Sequence, residues 1–205
     1  DSILAPGITQ QINYATSADG KQMVYYVATV DVTRDDVTIM VNYKDNDPSK
    51  GWGMQTVRDQ AHAAEARHSD PSKPDLYIPN YNIIAAVNGA GYNMTTGEPA
   101  GLLMMEGVEH HAPDGIDHGG YGFFGILKDG SAVLGTKADY EAMADDVVEG
   151  IGLFGSGKFL VWDGELASGA TSGNRASRTA IGIKADGTPE STTTPAYALL
   201  NVVAN

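Results

Sequence analysis

The chain has 205 residues, 42% of them hydrophobic, which is enough for one sizeable core and short for two independent domains. It carries 26 acidic residues against 13 basic ones, a net charge of −13, which argues against nonspecific binding to nucleic acid or to an anionic membrane surface. The absence of cysteine excludes disulfides, thiolate metal ligands and a cysteine nucleophile, and no apolar run approaches the ~20 residues needed for membrane insertion.

The first third of the chain predicts two strands followed by a helix. Met23 to Val30 and Val37 to Tyr43 are rich in β-branched and aromatic residues, so we expect a pair of strands joined by a short polar connection. Small apolar residues recur at helical spacing over roughly Met54 to His68, which predicts a helix. His62 and His68 lie on this helix and are interpreted as surface residues.

The middle of the chain is organised around an apolar run that ends in a polar loop. Ile83 to Val87 predicts a buried strand, the chain then breaks at Asn88-Gly89, and a second apolar run follows at Leu102 to Met105. A hydrophobic strand that delivers polar residues and glycines to its end can present them to a ligand. An ordinary surface loop explains the pattern equally well, because Asn-Gly is a common turn dipeptide.

The second half of the chain predicts a hairpin, a helix and three strands. Thr136 is the expected N-cap of the helix, which should continue to about Val148. The expected strands are Phe123 to Leu127, Ala132 to Leu134, Phe159 to Trp162, Arg178 to Lys184 and Ala196 to Ala204. Many short strands, two main helices and no regular βα alternation predict an α+β fold with a mixed, largely antiparallel sheet, in a single domain over 1–205.

Two segments resemble sites that we reject or rank low. Gly152 to Lys158 has the spacing of a phosphate-binding loop, but Phe159 stands where the metal-binding hydroxyl belongs and a strand follows where a helix should begin. His110 to His118 contains three histidines and two aspartates that could bind a metal. No recognised ligand spacing is present there, so a solvated loop is the better interpretation and no metal is expected.

Two arginines are the strongest candidates for binding an anion. Arg175 and Arg178 lie together immediately before an apolar strand, in a chain with only 13 basic residues. The planar guanidinium group suits phosphate or carboxylate. Surface salt bridges with some of the many acidic residues are the alternative.

Five short motifs then occur in an order that carries a family resemblance. They are Asn88-Gly89 with Tyr92-Asn93, Thr96 to Gly101, Phe124-Gly125-Ile126 with Asp129-Gly130, Phe159-Leu160-Val161 with Asp163-Gly164, and Arg178 to Ile183 with Asp186-Gly187. In this order they resemble the phosphodiester glycosidase family, and Leu4 to Thr9 is similar to its bacterial members.

The chain departs from the pattern of that family in two places. Ala90 and Gly91 stand where similar members have an acidic or aromatic residue. After Gly187 the family continues with a strand, a helix and a glycine-rich loop that carries a probable catalytic carboxylate, whereas here Thr188 to Pro195 leads directly into the closing strand. The domain is therefore expected to be incomplete after residue 187.

The resemblance implies hydrolysis of a sugar-1-phosphodiester by an extracellular or cell-surface protein that needs no cofactor and acts on a glycan or sugar-phosphate. The expected catalytic residues are Glu106 and Arg178, and the expected substrate-binding residues are Asn88, Gly89, Tyr92, Asn93, Gly101 and Arg175. Because the late segment is missing, a non-catalytic carbohydrate- or phosphosugar-binding protein on the same scaffold is the alternative. A metal-dependent hydrolase that uses the His110 to His118 loop is the third hypothesis.

Overall fold

Two antiparallel sheets of five strands and two helices make up the fold in the computed structural model, which describes residues 2–17, 19–113, 122–153, 159–162, 164–166, 178–184 and 196–204. The strands are β1 (Ser2–Ala5), β2 (Ile8–Thr16), β3 (Gln22–Val30), β4 (Leu103–Met105), β5 (Val108–His111), β6 (Gly122–Leu127), β7 (Ala132–Thr136), β8 (Val147–Leu153), β9 (Val161–Trp162), β10 (Glu165–Leu166), β11 (Arg178–Lys184) and β12 (Ala196–Ala204). The helices are α1 (Val57–His68) and α2 (Lys137–Met143).

Both sheets bring together strands that are distant in the sequence. The first has the order β1-β2-β3-β12-β11, so the last two strands of the chain return beside β3. The second has the order β5-β4-β8-β6-β7, and β9 and β10 form a separate two-stranded ladder. Every ladder between described strands is antiparallel, which confirms the α+β prediction and its largely antiparallel sheets.

The second sheet contributes side chains to the core on both of its faces, as two adjacent residues of β6 show. Phe123 packs with Leu102 and Tyr140 on the face that α2 covers. Phe124 points to the opposite face, where Ile181 of β11 packs against its cluster. Strand residues point alternately to the two sides of a sheet, so two adjacent phenylalanines can belong to two separate parts of the core.

Two of the predicted strands, Val37 to Tyr43 and Ile83 to Val87, are absent from the ladders of the described strands, so these two predictions were wrong. Along Val37 to Tyr43, the backbone amide of Val41 donates to Glu149 Oε2 over 2.8 Å. In the Ile83 to Val87 segment, the amide of Ile83 donates to Glu65 Oε1 over 2.9 Å. In both segments a carboxylate accepts a hydrogen bond from a backbone amide, in place of a carbonyl oxygen of a neighbouring strand.

The second helix is shorter than predicted. It starts at the expected N-cap, where Thr136 and Asp139 form a reciprocal capping box, and it ends at Met143. The chain then makes a short 3-10 turn at Ala144–Asp146 and continues into β8, which lies between β4 and β6. Pairing on both edges of β8 therefore overrides the helical spacing that suggested a helix as far as residue 148.

Replacing Thr136 by Ala should lower the free energy of unfolding by about 1 kcal/mol, because the amide of Asp139 loses its hydroxyl acceptor. Urea unfolding measures the loss. Thr38→Ala, at an exposed position outside any helix, is the control and should change stability by less than about 0.5 kcal/mol. Equal effects of the two substitutions would show that the cap contributes nothing.

Candidate functional site

Residues 88–101, here named the Asn88 loop, close on themselves. Tyr92 and Pro99 form an antiparallel bridge, and the amide of Asn93 donates to the carbonyl of Glu98 over 2.8 Å. Tyr92 is 47% exposed and Asn93 is also exposed. The loop therefore presents an aromatic ring beside an amide side chain, a combination that suits a ligand with both apolar faces and hydroxyl groups.

Part of the Asn93 side chain is used within the loop itself. Its Oδ1 accepts from the amide of Thr95 over 2.8 Å and from that of Thr96 over 3.2 Å. Asparagine commonly stabilises turns by accepting from the backbone two residues ahead. With Oδ1 engaged, the side-chain NH₂ group is the part of Asn93 that a sugar hydroxyl could contact.

The far side of the Asn88 loop is packed tightly against the Gly53 backbone. Gly97 has φ of +77°, and a Cβ there would lie 2.4 Å from the carbonyl carbon of Gly53. The Tyr43 hydroxyl accepts from the amide of Gly53 over 2.7 Å and lies 2.7 Å from the Gly97 carbonyl and 2.8 Å from the Gly53 carbonyl. Its single proton can be donated to one of the two carbonyl oxygens at a time.

The beginning of the Asn88 loop lies against two strands. Thr179 in β11 donates its hydroxyl to Asn88 Oδ1 over 3.0 Å. A Cβ on Gly89 would lie 2.2 Å from Cδ1 of Ile151 in β8, so a larger residue would have to move the end of the Ile151 side chain. Arg178 is the first residue of β11 and immediately precedes the threonine that contacts Asn88.

The end of the Asn88 loop meets a histidine. Gly101 is buried, and its carbonyl oxygen lies 2.9 Å from Nδ1 of His111, which is also 2.9 Å from the carbonyl oxygen of Ala112. Two acceptors at Nδ1 place the proton on that nitrogen in the neutral ring. Nε2 of His111 lies 3.8 Å from Oε1 of Glu98, and the ring packs edge-on against Trp52.

Glu106, the expected catalytic carboxylate, lies at the turn between β4 and β5 and is contacted by an arginine and a histidine. Its Oε2 is 3.1 Å from Nη2 of Arg67, and its Oε1 is 3.2 Å from Nε2 of His68. The interpretation of His68 as a surface residue was wrong, because it is 3% exposed and its Nδ1 lies 2.9 Å from the carbonyl oxygen of Leu76. A buried histidine beside a carboxylate belongs to the packing of α1 rather than to its solvent-facing side.

The sequence analysis missed a second carboxylate, Glu149 of β8. It is 6% exposed, and its oxygens accept from the amides of Val41 over 2.8 Å and Glu106 over 3.0 Å. Burial raises the pKa of Glu149 to about 7, against the lowering effect of the two amide donors. The available signal was a single acidic residue inside the otherwise apolar and glycine-rich run 147–153.

One expected site residue, Arg175, lies outside the described part of the chain. Residues 154–158 of the rejected phosphate-loop candidate also lie outside it. Of the proposed metal-binding loop, His110 and His111 are described and residues 114–120 are not. Within the described ranges no group of three or more His, Cys, Asp or Glu side chains could hold a metal ion, and no helix is long and apolar enough to cross a membrane.

Comparisons with known proteins support one family. A family model described as phosphodiester glycosidase matches residues 81–189, more than half of the chain. A solved structure of the zebrafish N-acetylglucosamine-1-phosphodiester alpha-N-acetylglucosaminidase catalytic domain, auto-inhibited by its pro-peptide, has a similar fold, with a TM-score of 0.68 and 17% identity. That match covers 98% of this chain and 62% of the zebrafish chain. A search of curated proteins found no match.

Proposed function

The chain belongs to the phosphodiester glycosidase family, and from this premise we propose that it hydrolyses a sugar-1-phosphodiester of the GlcNAc-1-phosphate type. The products would be the free sugar and a phosphomonoester. The hydrogen bond between Thr179 and Asn88 carries the proposal, because it joins the Asn88 loop to the strand that begins with Arg178. Both partners lie inside the segment that the family model matches.

The proposed reaction places two electrostatic demands on the site. Breaking the bond between the anomeric carbon and the phosphate oxygen builds positive charge on the sugar ring, which a nearby carboxylate stabilises. The departing phosphomonoester carries negative charge, which a cation or hydrogen-bond donors stabilise. Phosphate is a good leaving group, so the reaction depends less on a general acid than hydrolysis of an ordinary glycoside does.

Arginine is the cation that best suits this phosphate, and two of the five arginines in the chain are already held by carboxylates. Arg34 pairs with both oxygens of Asp36 at 2.8 and 2.9 Å beside a shallow surface cleft, and Arg67 pairs with Glu106. We assign the phosphate to Arg178, with Arg175 in support.

The sugar is assigned to the Asn88 loop. Asn88 and Asn93 would contact its hydroxyls, Tyr92 would pack against the ring, and Gly89 and Gly101 would let the backbone approach closely. Glu106 remains a proposed catalytic carboxylate, although Arg67 already pairs with it. The proposed location of the protein is extracellular or at the cell surface, and fractionation of the producing cells would test it.

The proposal predicts that the chain releases free GlcNAc from the methyl phosphodiester of GlcNAc-1-phosphate. Replacing Arg178 by Ala should lower kcat/KM by about 100-fold or more, because the leaving phosphate loses its cation. Arg58→Ala, which removes an exposed arginine from α1, is the matched control and should leave kcat/KM within about twofold. No sugar release by the natural chain, or equal kinetics of the two variants, would contradict the proposal.

Binding without turnover is the second candidate function. The ion pair of Glu106 with Arg67 and its contact with His68 favour it, because they occupy the proposed catalytic carboxylate. Isothermal titration with GlcNAc-1-phosphate would then show binding that Arg178→Ala removes, while the diester stays intact. Release of GlcNAc at a rate proportional to protein concentration would exclude this alternative.

A further inference from the structure

The hairpin of β4 and β5 has two ends, with Glu98 near His111 at its base and Glu106 at its turn. His111 is paired with Leu103 at the base of the hairpin, where the chain enters from the Asn88 loop. Glu106 follows Met105 at the opposite end, three residues beyond Leu103. At about 3.3 Å per strand residue, the backbone of Glu106 is roughly 10 Å from the base.

The base of the hairpin, rather than its turn, is level with the start of the Asn88 loop. Leu103 is paired with His111 on one side and with Ile151 on the other, so these three residues lie side by side across β5, β4 and β8. Directly opposed residues share one face of a sheet. Since Gly89 packs on Ile151, the loop start and His111 lie on the same face, roughly two strand spacings or 10 Å apart.

Glu98 projects from the same loop toward this base. Its carbonyl accepts from the amide of Asn93, and its own amide donates to the hydroxyl of Thr96 over 3.2 Å, so its backbone is held on both sides. Its side chain is 44% exposed and approaches His111, whose side chain is 20% exposed. The carboxylate is therefore open to solvent on one side and placed against a fixed imidazole on the other.

Three other glutamates near the hairpin are less suited to act on a sugar. Glu109 of β5 is paired with Met104 and accepts from the Tyr140 hydroxyl over 2.5 Å, on the face that α2 covers. Glu106 is engaged by Arg67 and His68. Glu149 is buried, and both of its oxygens accept backbone amides. Glu98 combines partial exposure with a position on the loop that holds Asn88 and Asn93.

We propose that Glu98 is the catalytic carboxylate for the sugar, an inference that rests on the proposed function. Glu98 accepts a proton from the attacking water, the water oxygen forms the new bond to the anomeric carbon, and the bond from that carbon to the phosphate oxygen breaks. The electron pair of the broken bond leaves with the phosphate oxygen as the phosphomonoester dianion. The proton on Glu98 then passes to solvent.

The test compares Glu98→Ala and Glu106→Ala on the methyl phosphodiester of GlcNAc-1-phosphate, with and without sodium formate. Loss of a catalytic base costs roughly 100-fold or more in kcat, and a small carboxylate in the vacated space should restore at least tenfold of it. Glu98→Ala should show this loss and rescue. Glu141→Ala, on the exposed side of α2, is the control and should keep the activity of the natural chain.

The possible results separate this inference from the proposed function. An active natural chain whose Glu98→Ala variant keeps its activity, or loses it without rescue by formate, overturns the role of Glu98 and leaves the proposed function in place. If formate restores the activity of Glu106→Ala and not that of Glu98→Ala, the role of Glu98 is also overturned, and the catalytic carboxylate is Glu106. A natural chain that releases no sugar overturns the proposed function and this inference with it.

Discussion

Replacing Glu149 by Gln is expected to remove a loss of stability that the natural chain suffers as the pH rises from about 4.5 to about 7. The carboxyl is buried in β8, and burial raises its pKa from 4.5 to about 7. Folding therefore favours the protonated form of this group. Glutamine has nearly the same shape and cannot ionise, so the variant isolates the effect of the charge.

The direction follows from proton linkage. Between pH 4.5 and pH 7 the folded chain keeps a proton on Glu149 that the unfolded chain has released, so the folded state binds more protons. Stability must then fall as the pH rises through this window, and the full penalty is present above pH 7. A pKa difference of this size corresponds to about 3 kcal/mol.

Urea unfolding of the natural chain and of Glu149→Gln from pH 4 to pH 8 measures this penalty. Other groups titrate in both proteins, so the difference between their free energies of unfolding isolates Glu149. Below pH 4.5 the variant should be less stable by about 1 to 3 kcal/mol, because its NH₂ group replaces one of the two oxygens that accept from Val41 and Glu106 and cannot itself accept. This deficit should shrink or reverse above pH 7.

Glu141→Gln on the exposed side of α2 is the control for this series and should follow the natural chain at every pH. If the difference between the natural chain and Glu149→Gln is constant from pH 4 to pH 8, the carboxyl of Glu149 titrates alike in the folded and unfolded states. That result would contradict the raised pKa.

The sequence pattern was sufficient to predict those elements whose hydrogen-bond partners are backbone groups at regular spacing. The hairpin of β6 and β7 was predicted from its apolar runs and the turn Lys128-Asp129-Gly130, and the start of α2 was predicted from Thr136. Strand β3 and helix α1 were predicted within a few residues of their observed ends. In these elements the local propensities and the final fold agree.

Prediction failed where a side chain distant in the sequence supplies the partner. The amide of Val41 donates a hydrogen bond to the carboxylate of Glu149, 108 positions further along the chain. The pattern of residues 37–43 alone could not reveal this partner, so it wrongly predicted a strand. His68 looked exposed because its partners, Leu76 and Glu106, lie outside α1. Such pairings depend on tertiary contacts that spacing does not encode.

The candidate site shows the same division. The polar loop after the Ile83 to Val87 run and the arginine at the start of β11 were recognised as a possible binding region, and the contact between Thr179 and Asn88 joins the two segments. Glu106 was expected to be the catalytic carboxylate because it follows the apolar run Leu102 to Met105. Only the register of β4 with β5 shows that Glu106 and the Asn88 loop lie at opposite ends of the hairpin.

Replacing Gly97 by Ala is expected to cost about 2 to 4 kcal/mol of stability and to displace the Asn88 loop. With φ of +77°, an alanine is strained by about 1 kcal/mol. The new Cβ would also lie 2.4 Å from the carbonyl carbon and 2.6 Å from the carbonyl oxygen of Gly53. Because these are backbone atoms, no side-chain rotation relieves the overlap, and accommodating it costs about 1 to 3 kcal/mol more.

Gly130→Ala separates the two contributions, because Gly130 has φ of +84° and a Cβ there would meet nothing within 4 Å. It should show the backbone strain alone, and both substitutions reduce the entropy of the unfolded chain equally. The free energies of unfolding of the two variants, measured in urea, should therefore differ by about 1 to 3 kcal/mol. Sugar release, where the natural chain shows it, should fall in Gly97→Ala and not in Gly130→Ala, since only the former moves the Tyr43 contact that anchors the loop. Equal stability of the two variants would mean that Gly97 does not press on Gly53, and the loop would then be held by hydrogen bonds alone.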